Sequence, residues 1–148
     1  IQEMGWFVKL HLGAGDLLEH DALFRKLKVN VIIDHLGRPD MSLGVKDPNV
    51  ARVIDLLKTG NWWVMLSNGH KQSKRGFPWD DAVPIARAYI EAAPDRVIWA
   101  TDWPHPLSTE KVPNDADLLE LLYRYAPDDG ERHKILVENP ATLFGFDH

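Results

Sequence analysis

Four short apolar runs of this chain each end in residues able to ionise or to hydrogen bond: His11, His35, Ser67 with His70 and Lys71, and Asp102 with His105. Carboxylates and imidazoles can pass protons to and from a reacting group, and fixed donors can hold a developing oxyanion or an anionic substrate. The best defined of the four ends is Arg96-Val97-Ile98-Trp99-Ala100-Thr101-Asp102-Trp103-Pro104-His105-Pro106. Its β-branched and aromatic content reads as a buried strand. Pro104 cannot donate to a sheet ladder, so the strand must finish there and Asp102 falls at its carboxyl end. A carboxylate at that point has left the apolar interior but is still held by a rigid element, which is where parallel α/β architectures keep their reacting groups. Asp102 also suits a plain turn role, with its side chain bonded to nearby backbone N–H groups.

The other residues carry ordinary readings beside the chemical one. His11 suits a partly buried histidine bonded to a backbone carbonyl. Asp34 and His35 suit a turn pair, but packing alone explains poorly an imidazole that follows a near-continuous apolar run, because a polar group there needs a partner. Lys71, Lys74 and Arg75 suit a solvated loop face. His20, His133 and His148 fall on helix surfaces or at the terminus and are assigned no role.

The elements that must position these groups alternate in type. Residues 6–12 form a strand-like run, and Asp16 is a plausible N-cap for a helix over 17–27 with a basic last turn. Residues 29–34 read as a strand covered on both faces, followed by a loop at 35–40. Pro48 suits the first turn of a helix after Asp47 that runs to a C-cap at Gly60. The third strand is 62–67, followed by a polar loop at 68–78 and a helix over 80–93 with Pro84 near its first turn. After the strand that ends at Asp102 come a proline-rich loop, a helix over 115–125 and a last helix over 130–137.

Four β-α units demand parallel strands with right-handed crossovers. No glycine-rich phosphate fingerprint follows any strand, so nucleotide binding at the switch point of an open sheet has no support. The polar strand ends favour half of a (β/α)8 barrel, whose full form is typically about 250 residues. In such a barrel consecutive strand ends converge on one face, so groups far apart in sequence share a site.

At 148 residues with 45% apolar content the chain reads as one globular domain over 1–148. It has no cysteine, hence no disulfide framework and no thiolate nucleophile or metal ligand. The net charge is −5 with both signs interleaved, which argues against nucleic acid or anionic membrane as the main partner. No apolar run reaches the roughly 18 residues of a membrane span and no signal-peptide pattern opens the chain, so a cytoplasmic location is expected. Ile1 is not an initiator Met, and the first strand-like run follows almost at once, as in a chain entered partway through a fold.

The segments Ile33-Asp34-His35-Leu36-Gly37-Arg38-Pro39, Trp63-Val64-Met65-Leu66-Ser67, Thr101-Asp102-Trp103-Pro104-His105-Pro106 and Val137-Glu138-Asn139-Pro140-Ala141-Thr142-Leu143-Phe144 closely resemble the amidohydrolase-related TIM-barrel hydrolases. The nearest branch is the 2-pyrone-4,6-dicarboxylate lactonases. The resemblance covers nearly the whole chain and implies strands five to eight of the barrel plus a carboxyl-terminal helix. It implies hydrolysis of a lactone or similar cyclic ester, with Asp102 activating water and His35 polarising the carbonyl. His11, Arg38, Ser67, Lys71 and His105 would contact a small substrate bearing a carboxylate. Decarboxylation, performed elsewhere in the superfamily, is the alternative reaction, and a non-catalytic half-barrel is the alternative role.

The resemblance also implies departures. The family's first strand carries a His-x-His pair, which this chain lacks, so the partner would be a separate amino-terminal half of the barrel or a second copy of the chain. Metal-binding relatives use that pair and the last-strand Asp for a divalent ion such as zinc, which would make Asp102 a ligand; the lactonase branch works without metal. Lys71 stands where the lactonases place Arg, and His11 where they tend to have Tyr. Val29, Val31, Ile33, Val64, Leu66 and Val97 are expected on the barrel's inner face, where they would lose cover in a half-barrel that would then be inactive by itself.

Overall fold

The computed structural model describes residues 1–106 and 112–146; His148 lies outside them, as does the middle of the proline-rich loop. The four apolar runs form one parallel sheet in chain order, β1 (Val8–Leu10), β2 (Val31–Ile33), β3 (Trp62–Leu66) and β4 (Val97–Trp99). Leu10 lies opposite Ile33, Ile33 opposite Val64, and Leu66 opposite Trp99. All four strands therefore point their carboxyl ends at the same rim. Parallel neighbours joined in order through helices give the architecture of half a (β/α)8 barrel, as the alternation of elements predicts.

Side chains alternate across the sheet. Val31, Ile33, Trp62, Val64, Leu66 and Val97 pack with Val50, Val53 and Leu57 of α3 (Pro48–Leu57), Ile85 and Tyr89 of α5 (Val83–Ala92), and Leu121 and Leu122 of α6 (Asp115–Tyr125). The opposite face carries Ile32, Trp63 and Ile98, buried under Leu143 of α8 (Asn139–Phe144) with Met65 and Phe144 at the margin. The expected inner face is thus out of phase by one residue: Val31, Ile33, Val64, Leu66 and Val97 face the helices and are fully buried, and Val29 packs at the edge of the same cluster. Runs that are apolar at nearly every position offer no alternation from which to read the phase. On the other face α8 covers Ile32, Trp63 and Ile98, while Met65 is half-buried and Lys9 exposed.

Local signals account for most of the helices. Asp47 caps α3 by accepting the Asn49 N–H at 2.8 Å, with Pro48 in the first position. Asn114 does the same for α6 through the Ala116 N–H at 3.0 Å. Pro84 sits in the first turn of α5, after a 3₁₀ turn at Asp80–Ala82. Three expectations about these helices need correction. The 17–27 helix is two single turns, α1 (Asp16–Glu19) and α2 (Asp21–Phe24), broken at His20. Leu18 and Leu23 are exposed, so the leucines form no continuous face to hold one helix together. Asp16 turns back to the Gly13 N–H at 2.6 Å, and Gly15 takes the N-cap position. Helix α3 stops at Leu57, and Gly60 lies in the turn beyond.

The last helix does not stop at 137. It runs from α7 (Asp129–His133) through a π turn at Lys134–Glu138 into α8, with helical backbone at each junction. Pro140 lacks an N–H and its ring crowds the carbonyl four residues back, and a wider turn just before it relieves both. Asn139 then donates to the carbonyls of Pro94 and Val97, tying this helix to the start of β4. The sheet keeps two unpaired edges among the described residues, β1 and β4, and exposed Trp6 and Phe7 lead into the first of them. No helix of the described residues is long and apolar enough to cross a membrane.

Candidate active site

The chain leaves β2 through Asp34 into a 3₁₀ turn at His35–Gly37, in which His35, Leu36, Gly37 and Arg38 all have positive φ (52°, 57°, 72° and 51°). Left-handed backbone costs a non-glycine residue roughly 1–2 kcal/mol, so three such residues within four positions must be held from outside. Three side chains hold them. Gln72 donates to the His35 carbonyl at 2.8 Å, Tyr89 to that of Leu36 at 3.0 Å, and Asn49 to that of Gly37. At Gly37 itself a Cβ would meet Val53 Cγ2 at 2.9 Å, so glycine answers both the torsion and the close approach of α3.

The turn buries His35 between three strand ends. Its Nδ1 lies 2.8 Å from Ser67 Oγ at the end of β3, and 3.1 Å from Nδ2 of Asn68. Its Nε2 faces two carboxylates, Asp34 Oδ2 at 3.5 Å and Asp102 Oδ1 at 3.9 Å. Burial lowers the His35 pKa, against the pull of Asp34 and Asp102, with His11 and Arg38 also lowering it. The imidazole is neutral at pH 7.

Strand β4 ends at Trp99, three residues before the expected end, and Asp102 sits in the following turn with φ 71°. Its carboxylate does not serve the local backbone. Oδ2 accepts from Asn68 Nδ2 at 2.8 Å and from Lys71 Nζ at 3.0 Å. Desolvation raises its pKa, but hydrogen bonds from Asn68 and Lys71 and the charges of His35 and Lys71 outweigh that and hold the carboxyl below its ordinary value. Lys71 lies on α4 (Gly69–Gln72), a short helix inside what reads as a polar loop, and also donates to the Pro106 carbonyl at 3.1 Å.

His11 and Arg38 meet at 2.6 Å, and the His11 ring stands perpendicular to His35 with centroids 5.0 Å apart. A hollow of about 520 Å³ opens over this rim, lined by Ala14, His35, Arg38, Asn68, Lys71 and Lys74 among others. The structure thus gathers His11, His35, Arg38, Ser67, Lys71 and Asp102. It does not gather His105, which is buried 3.0 Å from Asp115 at the start of α6. His70 packs edge-on to His105 and to Trp79. Burial, with the charges of Lys71 and His105, pushes the His70 pKa down to about 4.

His11, Asp34 and His35 each bring a donor atom within 4.8 Å of the others, a set of the kind that catalytic zinc takes. Their hydrogen bonds argue against a resident metal. A guanidinium only donates, so His11 Nε2 must accept from Arg38, and the imidazole proton is thereby assigned to Nδ1, the nitrogen 3.8 Å from Asp34. Neither nitrogen then offers a free lone pair. The same Asp34 oxygen already faces Lys9 Nζ at 3.2 Å. Asp102, expected as a possible ligand, lies outside the set and is tied to Asn68 and Lys71. These residues as arranged do not fit a divalent ion.

Sequence reasoning passed over Asn68, Gln72, Asn49, Tyr89 and Lys9. Asn68 left one trace: asparagine just past a strand end suits left-handed backbone, and its φ is 55°. The helix residues left none, since Tyr89 and Asn49 read as core and cap neighbours.

The sequence profile of the amidohydrolase family matches residues 1–146. A 4-sulfomuconolactone hydrolase from Hydrogenophaga intermedia is 38% identical over 145 residues, covering 97% of this chain and 48% of that protein. A 2-pyrone-4,6-dicarboxylate hydrolase from Comamonas testosteroni is 35% identical over 153 residues, covering 97% of this chain and 50% of that protein. The crystal structure of an Agrobacterium tumefaciens protein in its apo form superposes with a TM-score of 0.88 at 30% identity, over 99% of this chain and 52% of that one. The chain spans about half the length of the curated relatives it matches. Sequence and fold agree along nearly its whole length: the chain belongs to the amidohydrolase family.

Proposed function

We propose that this chain supplies the carboxyl-terminal half of a barrel that hydrolyses a lactone or similar cyclic ester bearing an anionic group. The observation that carries the reading is the approach of a neutral imidazole and an ionised carboxylate, His35 Nε2 and Asp102 Oδ1 at 3.9 Å, on the rim of a basic hollow. The names of the two lactone-handling relatives support the substrate class. Asp102 Oδ1 takes a proton from water as the water oxygen bonds to the lactone carbonyl carbon, and His35 Nε2–H donates to the carbonyl oxygen as negative charge develops. Collapse breaks the ring C–O bond, and the proton held by Asp102 passes to the departing oxygen. Arg38, Lys71 and Lys74 offer positive charge to the substrate's anionic group, and His11 lines the approach. The test is a complete barrel containing this half, assayed against lactones with and without a carboxylate. Turnover of the anionic lactones is expected, and His35→Ala lowers kcat by about 10²-fold or more. A complete barrel with no turnover of any lactone sinks the reading.

A role in association rests on a separate observation, the two unpaired edges of the sheet with Trp6, Phe7 and Phe146 exposed near β1 and α8. The chain pairs with a complementary half or with itself. Light scattering is expected to give a mass above that of a monomer, and an unfolding midpoint that rises with protein concentration. A monomer with a concentration-independent transition refutes it.

A further inference from the structure

We infer that Asn68 is the positioning residue that decides which nitrogen of His35 carries the proton, leaving Nδ1 bare and making Nε2–H the donor that faces the rim. Asn68 Nδ2 lies 2.8 Å from Asp102 Oδ2 and 3.1 Å from His35 Nδ1. An ionised carboxylate only accepts, so the atom facing Asp102 is the amide nitrogen and not the amide oxygen. One of its hydrogens goes to Asp102 and the other points at His35 Nδ1. A proton on that nitrogen would set two donors against each other. Ser67 Oγ, at 2.8 Å from the same nitrogen, does not choose, because a hydroxyl either donates or accepts. At Nδ1 Asn68 therefore breaks the tie, in the same sense as the carboxylates of Asp34 and Asp102, which face Nε2 from the longer distances of 3.5 and 3.9 Å.

The placement of this amide is built in. Asn68 is 8% exposed, and among the described residues its Oδ1 is buried with no partner and its side chain bonds only to His35 and Asp102. The residue after it cannot grow: a Cβ at Gly69 would collide with the Tyr125 hydroxyl. Asn68 acts only through its two neighbours. With Nδ1 bare, the proton stands on Nε2, within 3.9 Å of Asp102 Oδ1. The value of this arrangement to catalysis rests on the hydrolase reading, but the proton's position does not.

The test is nitrogen NMR of the chain with ¹⁵N-labelled histidine near neutral pH, where long-range couplings separate the two ring nitrogens. In the parent, His35 Nδ1 is expected to carry the pyridine-type shift and Nε2 the pyrrole-type shift. Asn68→Gly keeps the left-handed backbone without strain and removes the amide; it is expected to produce a tautomer mixture with Nδ1–H plainly populated. Ser67→Ala is expected to keep the parental pattern. The inference is overturned if the parent shows Nδ1–H, if Asn68→Gly keeps the parental pattern, or if Ser67→Ala alone moves the proton. No turnover is measured, so an inactive barrel with the expected tautomer counts against the hydrolase reading alone.

Discussion

Replacing Asp102 by Asn in a complete barrel is expected to cut lactone hydrolysis by about 10²–10⁴, the contribution of a positioned general base. The substitution keeps the shape of the side chain and leaves an oxygen to accept from Asn68 and Lys71. What it removes is the ability to take a proton from water. It also turns an NH2 group toward His35 Nε2–H, so that two donors meet where a donor and an acceptor met before. The pH profile distinguishes loss of a base from loss of shape. The parental carboxyl is held below its ordinary value, so activity persists into acid before falling as Asp102 protonates. In the variant that acid limb disappears from the residual rate. Activity within a few fold of the parent, with the limb intact, refutes the role.

The second large effect is on stability in mild acid. His70 titrates near 4 in the folded chain, against 6.5 for an exposed histidine. Below 6.5 the unfolded chain therefore takes up a proton that the folded chain refuses until about pH 4. The unfolded state binds more protons throughout that window, so the His70 contribution to stability falls as pH drops from 6.5 to 4 and is constant below. At about 1.4 kcal/mol per pH unit, lessened by the partial exposure of the ring, the loss is on the order of 2–3 kcal/mol. His35, lowered in the same direction, adds to it. Denaturant midpoints measured across this range should slope downward toward acid, and His70→Phe should flatten the slope in part. A variant with the parental slope excludes His70 as its source. Asp40, Asp81 and Asp102, held below their ordinary value of 3.8, add a loss that begins only at the acid end of this range and deepens below it, so the His70 slope is read in the upper part of the range.

The strand order, the β-α repeat and the convergence of His11, His35, Ser67, Lys71 and Asp102 are legible because each rests on local chemistry: apolar runs, prolines that end them, and polar residues where they end. The two faces of the sheet are not legible, since Val31-Ile32-Ile33 is apolar at every position and only the packing of α8 says which side Ile32 takes. The length of the last helix is hidden by Pro140, which reads as a stop and is instead absorbed by a π turn. His105 is misplaced for a related reason. Its nearness to Asp102 in sequence suggests a shared site, but the turn through Trp103 and Pro104 carries it back to Asp115. Asn68, Gln72, Asn49 and Tyr89 become functional only through long-range contacts, and no spacing in the chain announces them.

The side chains that grip the carbonyls of His35, Leu36 and Gly37 come from α4, α5 and α3, three separate helices. The turn therefore has no small opening of its own: to relax toward right-handed backbone it must part from all three at once, which amounts to dismantling the layer that covers the sheet. In amide hydrogen exchange, Gly37 and Arg38, whose N–H groups donate to the carbonyls of Asp34 and His35, are expected to exchange only through global unfolding, with the full denaturant dependence of the core. The lifetime of the histidine's geometry is then the lifetime of the folded chain itself.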